Sequence, residues 1–278
     1  HPCPIFCSEW PLNNPQIPEA FISVIGLGAP RGYFPVKSWN RWGSLVIFFI
    51  LLAGAVLVFL FGIYDTYVAY QQHGPAMVDD KLTGPLVIAF VLFAFGLLAG
   101  WGAYANWNKG VAAYERGFAY NDRKGIQIWH WEDVGLMTSA ITRHYTNGIY
   151  TGTTHIYTLY NRQNQRLVLA DSFGKVEELA KNIDQSIFPL LYGRAADQYN
   201  AGQAIVFGTV AISKMGIAIG KKTYPWTDVK EVSIHKGILK VSRKDGGWFS
   251  GASAAASTIP NLRVLLSIID QVTEVKAG

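Results

Sequence analysis

Charge is what this chain has least of. Only 15% of its 278 residues are Asp, Glu, Lys or Arg, where soluble domains carry roughly a quarter. With half the residues hydrophobic and 14% aromatic, an ordinary soluble domain is excluded. Cysteine is nearly absent: Cys3 and Cys7, in HPCPIFC, are the only two. Cys-x3-Cys beside a histidine supplies half a metal site at most, because no second pair follows. Two ordinary thiols, or a lipid-modified one, are the simpler reading. Catalytic signatures are missing as well. There is no Gly-x-Ser-x-Gly elbow around Ser172, no P-loop, no His-Glu-x-x-His and no cysteine with a placeable histidine partner. Paired carboxylates would have to come from Glu132, Asp133, Glu177 and Glu178, and the last two suit the dipole of a helix's first turn. A non-enzyme with no cofactor and no small-molecule substrate is therefore expected.

The missing charge is concentrated in two places. Leu45–Tyr64 and Pro85–Ala105 contain no charged residue, and each makes a helix of about 30 Å, the thickness of a bilayer's apolar core. Trp39 and Trp42 precede the first span, Tyr64, Tyr67 and Tyr70 follow it, and Trp101, Tyr104 and Trp107 close the second. Amphipathic rings of this kind favour the headgroup level. Arg31, Lys37 and Arg41 lie before the first span, and Lys109, Arg116, Arg123 and Lys124 after the second. The segment Asp65–Gly84 holds Lys81 against Asp65, Asp79 and Asp80. The positive-inside rule then places both termini in the cytoplasm and residues 65–84 outside. The first residue is His rather than Met, so a short upstream piece is expected to be missing.

Residues 1–40 hold seven of the twelve prolines, which excludes a long helix or a central strand there. An extended arm along a partner, or along the protein's own membrane face, is expected. Within it, IGLGAPRG spaces Gly26, Gly28 and Gly32 around Pro30. With no strand–helix unit about it, this fails as a dinucleotide loop.

After Trp107 the chain repeats itself. GFAYNDRKGIQIWHWEDVGLM (Gly117–Met137) parallels GIAIGKKTYPWTDVKEVSI (Gly216–Ile234), and each carries Trp-x-Asp-Val: Trp131, Asp133 and Val134, then Trp226, Asp228 and Val229. Strands are expected around Ile141–Tyr145, His155–Tyr160 and Arg166–Ala170. A helix follows with Val176, Leu179, Ala180, Ile183 and Ile187 on one stripe. The second copy predicts Val229–Ile234, a His235–Gly237 turn, Ile238–Arg243, and a helix striped by Leu262, Leu265, Leu266, Ile269 and Val272, with Asn261 as N-cap. The expected domains are an arm (1–40), a membrane hairpin (41–108), and two α+β units (109–192 and 193–278). Each unit would be a bent antiparallel sheet closed by its C-terminal helix.

That order resembles the pleckstrin-homology-like plan. QAIVFGTVAISK (Gln203–Lys214), Gly216, Trp226–Val229, GILKVSRKDGGWF (Gly237–Phe249) and IPNLRVLL (Ile259–Leu266) are similar to an uncharacterised bacterial family, a domain of unknown function, with two membrane spans before a pleckstrin-homology-like region. The resemblance runs from about Trp42 to the C-terminus. It implies the architecture and the bacterial inner membrane, and it assigns no activity.

Within GIQIWHWEDV, alternate residues share a strand face. Trp131 and Asp133 recur in the second copy and so belong to the fold. Trp129 and His130 do not recur and are the candidates there for a partner contact. His144 and His155 are expected to face one another near Asp171, without a third metal ligand. From Lys109 onward 20 Lys and Arg oppose 14 Asp and Glu. Lys221, Lys222, Lys236, Lys240, Arg243 and Lys244 could meet anionic lipid headgroups, at about 1 kcal/mol per residue near the surface; a solvated sheet face is the plain alternative. No nucleic-acid reader motif is present. Gly96 and Gly100 form a small-residue seam, for the other span or for a neighbouring subunit. Together these features lead to the expectation of a membrane-anchored binding or scaffolding protein, an accessory subunit of a larger membrane complex. Its partners would be membrane lipids and other membrane-protein subunits, with anionic-lipid sensing as the alternative function.

Overall fold

The computed structural model describes residues 17–24, 26–244, 251–273 and 275–277; Cys3 and Cys7 lie outside them. The chain forms two compact units. One takes residues 35–111 and 120–127, and the other takes residues up to Phe34, Ala112–Ala119 and Ile128 onward. After a single-turn helix α1 (Glu19–Ile22) and strand β1 (Pro30–Pro35) come two long helices, α2 (Ser38–His73) and α3 (Val78–Trp107). Both are long and apolar enough to cross a membrane, and their most apolar windows are only 11% and 6% buried.

The segment Asp65–Gly84 proves mostly helical. Hydropathy falls after Tyr64, yet nothing from Asp65 to His73 is Gly or Pro, so α2 continues to Gly74, whose φ is +77°. Pro75 then opens a 3-10 turn, Pro75–Met77, that leads into α3. Lys81 and Asp65 lie 3.7 Å apart across this end. Inside the hairpin, Pro85 sits within α3, and a Cβ at Gly62 would approach its ring carbon to 2.5 Å. Only glycine admits the proline there. Further along, a Cβ at Gly96 would lie 3.6 Å from Leu51 and one at Gly100 would lie 3.0 Å from Phe48. The seam therefore packs against the chain's own α2. At the feet, Trp42 meets Trp107 edge-on at 5.6 Å, and the Val36 amide donates to Lys109 O at 3.4 Å.

The other elements repeat one plan. Strands β2 (Gly110–Tyr114), β3 (Gly117–Asp122) and β4 (Gly125–His130) follow β1 in a four-stranded sheet, β1-β2-β3-β4. Next come β5 (Val134–Thr146), β6 (Ile149–Asn161) and β7 (Arg166–Ala170) in a three-stranded sheet, then helix α4 (Val176–Asn200). The second half gives β8 (Ile205–Phe207), β9 (Val210–Ser213), β10 (Gly216–Ile219) and β11 (Lys222–Pro225) as another four-stranded sheet. It continues with β12 (Val229–His235), β13 (Ile238–Arg243) and β14 (Ala252–Ala255), helix α5 (Leu262–Ile269), and a last strand β15 (Val275–Ala277) beside β12. The protein is α+β, with two apolar helices and several antiparallel sheets.

Part of the arm belongs to this fold. Phe21 and Leu27 are buried with Ala112, Tyr114 and Ala119, and the Tyr114 hydroxyl donates to Phe21 O at 2.5 Å. The described part of IGLGAPRG, residues 26–32, is a packing element, with Arg116 N–H donating to Leu27 O at 2.9 Å. The α4 stripe is as expected, every member buried. In α5 the buried residues are Val264, Leu265, Ile268 and Ile269, while Val272 is 39% exposed. The helix has only eight residues and ends before Val272. Strands β5 and β6 run 13 residues each, because their turn is confined to Asn147 and Gly148, at φ +51° and +79°. Two positive-φ residues of the Asn-Gly type make the tight hairpin turn whose twist matches the strands.

Candidate functional site

The two Trp-x-Asp-Val elements are built alike. The Trp131 indole N–H donates to Glu115 O at 3.1 Å, and that of Trp226 to Ser213 O at 2.8 Å. Their backbone amides donate to Arg116 O and Met215 O, at 3.0 and 3.3 Å. Asp133 O accepts from Arg162 N–H and Asp228 O from Lys244 N–H, both at 2.9 Å. Any Cβ at Gly117 would collide with Trp129 O, and any at Gly216 with Tyr224 O. The motif thus closes the first sheet of each half onto the second. Trp129 belongs to that construction as well. It is 3% exposed and packs 5.6 Å from Phe118, so its ring offers nothing to a partner. His130 is exposed.

The two histidines do not face each other. Strand register pairs His155 with Ile141 and His144 with Gly152, and His144 Nε2 bonds Thr154 Oγ1 at 2.7 Å. His155 is instead gripped by two carboxylates. Its Nδ1 lies 3.1 Å from Asp171 Oδ1, its Nε2 3.0 Å from Glu177 Oε1, and its backbone N–H donates to Asp171 Oδ2 at 2.7 Å. The cluster ties β6 to the end of β7 and the start of α4. Beside it, burial and then the charges of Glu177 and Asp171 raise the pKa of the Tyr157 hydroxyl. Among the described residues, no group of three or more His, Cys, Asp and Glu is placed to hold a metal.

Asn261 carries a role its sequence position did not reveal. At φ +52° it makes no side-chain cap. Its N–H donates to Met137 O at 2.8 Å, its Oδ1 accepts from Met137 N–H at 2.9 Å, and its Nδ2 donates to Gly135 O at 3.0 Å. An asparagine side chain mimics a peptide group, so it prolongs the pairing a strand would make. Arg263 reinforces this contact, 2.8 Å from Asp184 and 4.2 Å over the Phe188 ring, and Gln271 bonds the Tyr192 hydroxyl. The two halves are thereby clasped. A cleft of about 730 Å³ lies beside the clasp, lined by Met137, Ser139, Tyr157, Lys181 and Arg263 among others. The one available signal was Ile-Pro-Asn itself: a buried Ile259 and Pro260 before an asparagine.

The basic residues of the second half separate into groups. Lys221 and Lys222, at the β10–β11 turn, line a cleft of about 550 Å³ with Thr209 and Ala252–Ala255. Lys240 pairs across the sheet with Ser253, another lining residue. Arg243 instead meets Asp228 at 3.6 Å. Lys236 occupies the β12–β13 turn, and Lys244 follows β13 at the Asp228 carbonyl.

The profile of one protein family matches residues 18–277, and its description is "Family of unknown function (DUF6585)". The chain belongs to that family. No curated protein matches it.

Proposed function

We propose that this member of a family without an assigned activity is a membrane-anchored, non-catalytic docking protein. It would be an accessory subunit of a larger membrane complex in the bacterial inner membrane, with both chain ends in the cytoplasm. Each half is read as a pleckstrin-homology-like unit: four strands, three strands and a helix, in that order twice over. The observation that carries the reading is the clasp. Asn261, Arg263 and Gln271 hold two copies of one binding scaffold in fixed register, which suits a platform. The two exposed apolar helices suit lipid and neighbouring spans. Extraction in mild detergent from the native membrane should bring down a partner in fixed stoichiometry. A clean monomer after gentle extraction would count against the proposal.

A second reading rests on Lys221 and Lys222 lining one cleft, with Lys240 paired to its lining residue Ser253, which suits a phosphate-bearing headgroup. On this reading the detergent-solubilised chain binds beads coated with phosphatidylserine, salt weakens the binding, and the Lys221→Glu, Lys222→Glu double variant loses it. Equal binding to neutral lipid would eliminate the idea.

A further inference from the structure

Strand β5 is the last strand of the sheet β5-β6-β7. In such a strand every second residue turns its N–H and C=O away from the ladder. Asn261 identifies which residues these are, because it bonds Gly135 and Met137 from outside the sheet. The β5–β6 register is unbroken from Leu136 to His144. The outward set therefore continues through Ser139, Ile141 and Arg143. No described strand other than β6 pairs with β5, and Ile141 is 58% exposed.

The second half of the protein shows how the same edge is finished. Both β5 and β12 carry a register shift at their start, Val134/Leu136 and Val229/Glu231. On that alignment Met137–Ser139 corresponds to Val232–Ile234. There the edge is filled: β15 adds to β12 as a parallel strand against Val232–Ile234. In the first half the Ala256–Thr258 turn packs against β5 and Asn261 pairs with its beginning, while the cleft beside Met137 and Ser139 stays open. A strand laid on the free half would direct alternate side chains toward that cleft, which is how strand addition gains specificity.

Along the free half of β5 charge selects the occupant, while the cleft itself mixes Glu177, Glu178 and Asp184 with Lys181 and Arg263. Residues 134–160 contain Arg143, His144 and His155 and no Asp or Glu. His155 is engaged by Asp171 and Glu177, while Arg143 and His144 are exposed. A second copy of the same strand would bring like charges together, whereas a segment carrying carboxylates complements them. The geometry points to strand addition: the free half of β5 receives an extended segment of a different protein, apolar at alternate positions, with a carboxylate toward Arg143. This rests on the reading of the chain as a docking subunit and names where the docking occurs.

The test is selection of phage-displayed random nonapeptides on the full chain in nanodiscs. Enriched peptides should alternate apolar and polar residues and contain Asp or Glu. Once synthesised, they should lose about tenfold or more in affinity when alternate peptide nitrogens are methylated. Ile141→Pro should cause a similar loss, since it deletes an outward N–H on an edge that tolerates proline. Arg143→Glu, which leaves the ladder intact, should shift the enrichment toward Lys and Arg. Three results would overturn the inference: no binders, binders indifferent to both variants, or a wild-type dimer that Ile141→Pro dissolves. A co-purifying partner retained by Ile141→Pro would sink this inference alone. Absence of any partner from wild type would sink the docking-subunit reading.

Discussion

At the scale of single residues, Gly117, Gly216 and Asn261 show how little side chain the joints of this fold permit. Gly117→Ala and Gly216→Ala each force a Cβ onto a carbonyl oxygen of the neighbouring strand. Each should cost about 3 kcal/mol or more, read as a fall in the thermal midpoint or as lost expression. Asn261→Gly keeps the positive φ but deletes the amide, leaving Met137 N–H and Gly135 O without their partners. A loss of about 2 kcal/mol is expected, and Asn261→Ala should cost more because it adds backbone strain. Limited proteolysis between the halves, after Asn200, should accelerate in both variants; unchanged digestion would refute the clasp. The tryptophans and glycines of the repeat were legible because they recur. Asn261 was not, since a lone asparagine before a helix reads first as a cap, and its partners lie over 120 positions away.

At the scale of elements, periodicity marked α4, uncharged length marked both apolar helices, and the Trp-x-Asp-Val repeat marked the strand after it. Element length escaped the pattern. Thr, Tyr and Ile continue through the β5–β6 ribbon, so nothing but Asn147-Gly148 signals its turn, and α2 runs past the end of its apolar stretch because no Gly or Pro stops it before Gly74. The hairpin makes its own prediction. Gly62→Val would press a branched side chain into Pro85 and part α2 from α3. Cysteines placed at Leu51 and Gly96 should then crosslink less efficiently than in the parent chain. Strand β3 supplies a pH dependence. Burial, and then the charge of Asp122, push the Tyr120 hydroxyl from 10.0 to about 12. Between these values the unfolded chain has lost this proton and the folded chain has kept it, so stability falls as pH rises. The contribution is complete below pH 10 and amounts to about 2–3 kcal/mol. Tyr120→Phe should flatten the decline measured between pH 10 and pH 12; an unchanged slope would contradict the assignment.

At the scale of the whole molecule, the proposed orientation predicts that a cysteine at Gly74, in a Cys3→Ser, Cys7→Ser background, reacts with an impermeant maleimide from outside the cell. Protection there until the membrane is opened would reverse the topology. The arrangement of β1 and β2 around the helices carries a consequence for synthesis. Both feet of the hairpin are joined, Val36 to Lys109 by a hydrogen bond and Trp42 to Trp107 by ring contact. If α2 and α3 span a bilayer as proposed, sheet neighbours must share one side of it, so the chain between them crosses an even number of times. At about 5–20 residues per second, β1 leaves the ribosome some seconds before β2 exists to receive it. A chain that threads only one helix leaves β1 stranded across the membrane, with its first sheet unclosed and its strand edge bare. On that proposed topology, completion of the sheet would inspect membrane insertion, and proteases that read exposed strands would remove the chains that fail it.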